Sequence, residues 1–265
     1  NTTNINNADF KWTSSFNISF NRNKVLSLND DQPSLGTQIG WNSNFSQTQP
    51  YMAIPGHPIS MFYGYVWEGV YTLDDFITLP NGTYQLKPGI ANLNNNSRPG
   101  YIKYADINGD GMISSLDYTL IGDPNPVHIG GFSNNFNYKN FDLNLFFQWS
   151  YGNEILNANR YEFEGQTGRV QLNMFASYAD RWSLDNQGSK NHVVRGGGGN
   201  VYSSRVIEDG SYLRFKTMSF GYNLPDTYLR KIRLKGLRIY ASGQNLLTWT
   251  NYSGLDPEVS TRPNP

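Results

Sequence analysis

Residues 129–151 read IGGFSNNFNYKNFDLNLFFQWSY. Phe132, Phe136 and Tyr138 alternate with Ser133, Asn135 and Asn137; after Lys139 and Asn140, Phe141, Leu143, Leu145, Phe147, Trp149 and Tyr151 alternate with Asp142, Asn144, Gln148 and Ser150. In the second run only Phe146 breaks the pattern. A period of two sends alternate side chains to opposite faces of a pleated strand, and a two-residue link is the length of a tight hairpin. Such a hairpin sets Tyr138 opposite Phe141, Phe136 opposite Leu143 and Phe132 opposite Phe147, so both strands turn their apolar sets to one side. That side meets a second sheet in a soluble sandwich or lipid in a membrane barrel, and alternation alone does not separate the two. The second run has the length of a tilted bilayer-crossing strand. Its apolar face ends in Trp149 and Tyr151, the residue types of an interfacial girdle.

Working outward, 10–20 (FKWTSSFNISF) shows the same alternation, preceded by Asn/Thr-rich residues that read as a short turn. Tyr212 to Tyr222 is a further strand with mixed faces, because Arg214 and Lys216 interrupt the apolar set. Leu237 to Gln244 is another, continued after a bulge by Leu246 to Trp249. Pro225 opens one or two helical turns over Asp226 to Ile232. The segments between are less regular. Residues 21–57 read as loop with a short strand at Thr37 to Trp41, and Ile59 to Tyr71 as a local hairpin or an aromatic ligand-stacking surface. Leu73 to Arg98 reads as loop, with turns at Pro80-Asn81-Gly82 and Asn94 to Asn96. Gln171 to Trp182 places Leu172, Phe175, Tyr178, Ala179 and Trp182 at helical spacing. The tetraglycine Gly196 to Gly199 lacks the strand–turn–helix context of a nucleotide site. Short links at Lys139-Asn140 and around Pro225 to Gly236 alternate with long ones at 22–128 and 152–210, as in outer-membrane barrels.

Composition narrows the class. Charged residues are 16%, below the quarter usual for soluble domains, while aromatics reach 15%. Lys plus Arg equals Asp plus Glu at 21 each, which gives no reason to propose a nucleic-acid partner. Cysteine is absent, excluding disulfides, thiolate metal sites and Cys nucleophiles. No apolar run reaches the length of a transmembrane helix, so membrane insertion would require a closed barrel. The chain starts at Asn1 with no visible signal peptide and reads as a mature segment or a piece of something longer.

One stretch carries metal chemistry. Residues 106–117 read DINGDGMISSLD, placing Asp106, Asn108 and Asp110 at positions one, three and five of an EF-hand-type loop, with Gly111 at the sharp turn. The Met112 carbonyl, Ser114 and Asp117 fall at seven, nine and twelve, with Asp in place of the usual final Glu. Six oxygen ligands suit calcium, held as a structural clip because the flanks are not a helix pair. The competing reading is a turn cluster without metal. His57, His128 and His192 are scattered and read as ordinary loop residues. Glu162, Glu164 and Asp180 to Asp185 could supply a carboxylate pair, as most loops could, and neither GxSxG nor HExxH occurs. Nothing positive argues for an enzyme.

Six blocks together resemble one family: FKWTSSFNISFNRNKVLSL (10–28), GHPISMFYGYVWEGVY (56–71), YADINGDGMISSLDYTLIGDPNP (104–126), GGFSNNFNYKNFDLNLFFQWSYGNEILN (130–157), SYLRFKTMSFGYNLP (211–225) and RIYASGQNLLTWTNYSGLDPE (238–258). In this order they resemble the C-terminal part of SusC/RagA-type TonB-linked outer-membrane proteins. The resemblance implies an all-β fold: the C-terminal portion of a 22-stranded antiparallel transmembrane barrel. Residues 1–265 would be a partial barrel domain, with 22–128 and 152–210 as long extracellular loops and the plug domain absent. It also implies import of glycan fragments or peptides across a Bacteroidetes-type outer membrane, with a SusD-like surface lipoprotein as partner and TonB engaged through a missing N-terminal part. From a different class, the alternative is a soluble secreted β-sandwich that binds carbohydrate and is clipped by calcium.

Overall fold

The computed structural model describes residues 1–38, 49–93, 97–164, 173–193 and 201–258. The tetraglycine, the turn at 94–96, residues 39–41 of the expected strand, residues 171–172 of the expected helix and the end of the chain from 259 lie outside these residues. The chain forms two compact units: 1–22, 125–153 and 209–252 make one, and 23–124, 154–208 and 253–265 make the other.

The first unit is a single six-stranded sheet. Its strands, in chain order, are β1 (Thr2–Asn6), β2 (Phe10–Ser19), β3 (His128–Tyr138), β4 (Phe141–Tyr151), β5 (Tyr212–Asn223) and β6 (Arg238–Thr250). Each pairs antiparallel with the next. The β3–β4 hairpin has the register its alternation predicts, with Tyr138 opposite Phe141, Phe136 opposite Leu143 and Phe132 opposite Phe147. Lys139 turns the corner with φ of 52°. The expected bulge in β6 falls at Asn245 (φ 51°), where Gln244 and Leu247 face Thr217 and Phe215. Residues 2–6, expected to be a turn, form a strand paired with β2 instead, in which Thr favours the pleat. The turn is confined to 7–9, where Asn7 Oδ1 accepts the N–H groups of Asp9 and Phe10 at 3.2 and 2.7 Å.

Both long connections leave the sheet at the same end, after Ser19 and after Tyr151. The short ones, at Lys139-Asn140 and 224–237, lie at the other end.

The second unit is built from short strands. Leu35–Thr37, Tyr51–Ala53, Met61–Gly64 and Thr119–Gly122 form one sheet. Trp67–Val70 pairs with Ile102–Tyr104, and Phe76–Thr78 with Tyr84–Leu86. Two expectations are corrected here. Residues 59–71 are not a hairpin, because the two strands follow different cores: Phe62 packs with Leu156, Tyr161, Tyr202 and Val206, and Tyr65 with Ile102, Tyr104 and Ile113. The helix expected at 171–182 is a 3-10 turn, Ala176–Asp180. Its carbonyls are taken by side chains, since Asn191 Nδ2 donates to Ser177 and Asp180 and Ser189 Oγ donates to Asp180. The loop read at 73–98 also contains the 76–86 hairpin, built on the Pro80-Asn81-Gly82 turn.

Candidate functional site

The first part of the 106–117 loop hangs between two buried anchors, Tyr104 before it and Ile113 within it, which belong to one apolar cluster with Tyr65 and Ile102. Between the anchors it winds on its own polar side chains. Asp106 accepts from Gly109 N–H at 2.7 Å and Gly111 N–H at 2.8 Å, Asn108 Oδ1 from Asp110 N–H at 2.9 Å, and Asp110 Oδ1 from Met112 N–H at 2.8 Å. Gly111 sits at φ 84°, where a side chain would be strained.

Ser114 and Asp117 close the loop with a reciprocal capping box on the turn Ser115–Asp117. Asp117 is fully buried and accepts from Ser114 N–H at 2.8 Å, Ile107 N–H at 2.9 Å and Asn108 N–H at 3.3 Å. Burial by itself raises its pKa. The three backbone donors and the adjoining Asp106 outweigh that and hold the carboxyl below the usual carboxylate range. The shorter Asp at the loop's end therefore binds backbone at the loop's beginning.

The structure thus places all six residues of the expected cation site on one loop. It sets Asp106 beside Asp117 and leaves Asn108, Asp110 and Met112 exposed. Among the described residues, no three His, Asp or Glu side chains gather closely enough to hold an ion. A cation here would also draw on the oxygens of Asn108, Met112 and Ser114, the oxygen-rich mixture a hard cation takes.

The aromatic stretch 59–71 does not form an open stacking surface: Phe62, Tyr65 and Tyr71 are buried. Two histidines read as ordinary loop residues prove distinctive, one by burial within its loop and one by lying in a strand. His192 is fully buried against Tyr178, and His128 begins β3, stacks on Tyr151 and accepts from Trp149 Nε1 at 3.1 Å.

A cluster invisible in the sequence lies in the second unit. Arg205, 3% exposed, donates to Glu164, which also receives Arg160 Nε at 3.0 Å. Arg160 Nη1 reaches Glu208 at 3.1 Å, and Glu208 Oε1 accepts from Ser253 Oγ at 2.8 Å. Burial lowers the Arg205 pKa, and the Glu164 carboxylate opposes that shift. Only the four-residue spacing of Arg160 and Glu164 hinted at this network; its other members are far apart in the chain.

The wall has two unlike faces. Cross-strand partners share a face, so one face carries Trp12, Phe136, Leu143 and Phe220 in one row and Phe16, Phe132, Phe147 and Phe215 in another. The opposite face carries Asn135, Asn144 and Ser219, and Asp142, which Arg238 binds at 2.6 Å. Phe146 falls on this polar face, its ring over Gly131. Aromatic rows bound the apolar face at both ends: Tyr138, Phe141 and Tyr222 at the short-link end, Trp149, Tyr151 and Trp249 at the other. The ten steps from Phe141 to Tyr151, at roughly 3.3 Å each and tilted about 40°, cover roughly 25 Å, the height of an outer-membrane apolar band. Within the unit no second sheet covers this face among the described residues, which argues against the sandwich. Its polar interruption at mid-height, Asn134, is satisfied by Trp12 Nε1 at 2.9 Å and Ser14 Oγ at 2.7 Å. A cavity of about 760 Å³ opens beside Trp149, Leu213 and Trp249.

An antiparallel sheet with one lipid-type face, one polar face and aromatic rows at both edges is the wall of a transmembrane β-barrel, here an open portion of one. Its relatives agree. The TonB-dependent receptor P3 of Formosa agariphila is 42% identical over 265 residues, covering 99% of this chain and 24% of that protein. P26 of the same organism is 33% identical over 268 residues (98% and 25%), and the TonB-dependent receptor SusC of Bacteroides thetaiotaomicron 26% over 262 residues (96% and 22%). Among solved structures, the RagAB peptide transporter superposes with a TM-score of 0.71 at 23% identity, over 96% of this chain and 25% of that one. The importer's closed-closed state gives 0.71 at 24%. These two show the fold. No family model matches. The chain belongs with the SusC/RagA-type TonB-dependent proteins, and it spans about a quarter of the length of the relatives it matches.

Proposed function

We propose that this chain forms part of the barrel wall and loops of an outer-membrane, TonB-dependent nutrient importer, and that its role is transport and not catalysis. The observation that carries this is the unsealed apolar face of β2 to β6 with its two aromatic rows, in a chain 42% identical to a TonB-dependent receptor. On this reading 22–128 and 152–210 are extracellular and the Lys139-Asn140 turn is periplasmic. The cargo is an oligosaccharide or peptide fragment; RagAB, described as a peptide transporter, favours peptide by fold alone. A SusD-like surface lipoprotein is the partner, and TonB supplies the drive through a part of the protein outside this chain.

This chain contributes no cysteine of its own, so a Cys introduced into it can report sidedness against the unsubstituted protein as the control. In the intact protein on whole cells, Asn81→Cys should react with an impermeant maleimide and Asn140→Cys only after the outer membrane is opened. The reverse pattern would overturn the topology.

We further propose calcium in the 106–117 loop, held by Asp106, Asn108, Asp110, Ser114, Asp117 and the Met112 carbonyl. The fit rests on the oxygen-only donor set and on a loop already wound by its own N–H groups. Hydrogen exchange on the intact transporter, with calcium and then with chelator, should show protection gained over 104–121 and lost in Asp110→Ala. Unchanged protection would leave a metal-free turn.

A further inference from the structure

The link from Leu224 to Leu237 joins β5 to β6 at the end of the wall opposite the two insertions. It makes one α-turn, Asp226–Leu229, and one 3-10 turn, Arg230–Ile232, and reverses at Arg233 with φ of 55°. Leu229 is buried, while Tyr228, Leu234 and Leu237 are 60%, 46% and 39% exposed. Among these apolar side chains stand Arg230, Lys231, Arg233 and Lys235, all exposed.

None of the four cations has an ion-pair partner among the described residues. The link's one acid is Asp226, and nearby Asp142 is engaged by Arg238. In a chain whose charges balance at 21 each, this is a local excess. Four like charges within six residues repel one another, screened over a Debye length of about 8 Å. Cations interleaved with exposed Tyr and Leu are the composition of a segment lying in a headgroup layer. The place fits as well: the apolar face of β5 ends beside the link at Tyr222, packed on Phe141 at 4.5 Å.

We propose that this link is a docking surface for anionic phospholipid headgroups in the leaflet at the short-link end of the wall. Arg230 and Arg233 offer planar forks to phosphate and Lys231 and Lys235 point charges, while Tyr228 and Leu234 dip into the glycerol region. The inference rests on the membrane-wall reading given above.

The test uses the intact transporter in vesicles of phosphatidylethanolamine with a minor share of phosphatidylglycerol, reading the preference of spin-labelled lipids at the protein boundary. The unmodified protein should select phosphatidylglycerol. At about fivefold per cation, Arg233→Gln with Lys235→Gln should lower the selectivity tenfold or more, and high salt should do the same. Lys24→Gln with Lys190→Gln, removing equal charge from the inserted segments, should leave it unchanged. Equal boundary occupancy by both lipids, selectivity that survives all four Gln substitutions, or cross-linking of the lysines to an acidic protein segment without lipid selectivity would each overturn the proposal. Heat-modifiable migration confirms that each variant is folded. Recovery in the outer-membrane fraction is scored separately, so loss of that recovery would count against the membrane reading itself.

Discussion

A single carboxylate shows how much one side chain contributes here. Asp117 satisfies backbone donors at both ends of its loop. Asp117→Ala should therefore cost about 1–3 kcal/mol through donors left unpaired in a buried place, with faster hydrogen exchange over 104–118 as the measurement. The pH dependence follows from the depressed pKa. The carboxylate's contribution is complete above the unfolded value of about 3.9 and is lost as pH falls through the lower folded value. Protection factors in this loop, with the intrinsic pH dependence of amide exchange divided out, should hence be flat from neutrality to about pH 5 and fall only in stronger acid. Glu164 makes a second case. Its removal leaves Arg205 buried without a counter-charge, so Glu164→Ala should destabilise the second unit by about 3–5 kcal/mol, read as loss of protection around 158–164 and 204–206. The calcium-type spacing was legible because its residues are contiguous. The Arg205–Glu164 pair was not, because 41 residues separate partners that only the fold brings together.

Among the elements, sidedness is the sharpest consequence. Leu145 lies mid-strand on the apolar face and Asn144 on the polar one. Leu145→Arg should cost about 2–4 kcal/mol at the bilayer midplane, and Asn144→Arg far less, as compared by urea unfolding in lipid. Gly130 is the tightest point of that face: a Cβ there would come within 2.2 Å of the Trp149 indole, which lies over it and stacks on Phe16 at 5.5 Å. Gly130→Val should displace Trp149 and cost about 1–3 kcal/mol, seen as a shift in tryptophan emission. The long strands were readable because each carries its own alternation and a neighbour one short turn away. The short strands of the second unit were not. Trp67–Val70 finds its partner at Ile102–Tyr104, and Met61–Gly64 finds one at Thr119–Gly122. Strands of three or four residues show too few periods to reveal a face, and nothing local names a partner across dozens of residues. β1 was missed for another reason: Thr2–Asn6 holds a single apolar residue, Ile5, and so has no apolar set to alternate.

For the molecule as a whole, purification of the intact transporter from its native membrane should recover a SusD-like lipoprotein, and uptake should stop when the proton gradient is collapsed. Repeated recovery of the transporter alone, or uptake indifferent to the gradient, would reject the assigned partner or the assigned drive.

The single end from which both insertions depart carries a consequence for how such chains diversify. Ser19 and Ile129 are paired neighbours, as are Ser150 and Tyr212, so each insertion begins and ends at points the sheet already holds together. Closing a loop between fixed, adjacent ends costs only about 0.6 kcal/mol more for each doubling of its length. Surface loops within either insertion can therefore be lengthened or trimmed at little thermodynamic cost, without shifting one rung of the ladder, while the core the insertions share, Phe62 on Leu156, Tyr202 and Val206, ties the exchange of one to the other. Selection on what the loops touch is in this way decoupled from selection on what the wall must withstand, and the two halves of one chain are free to change at different rates.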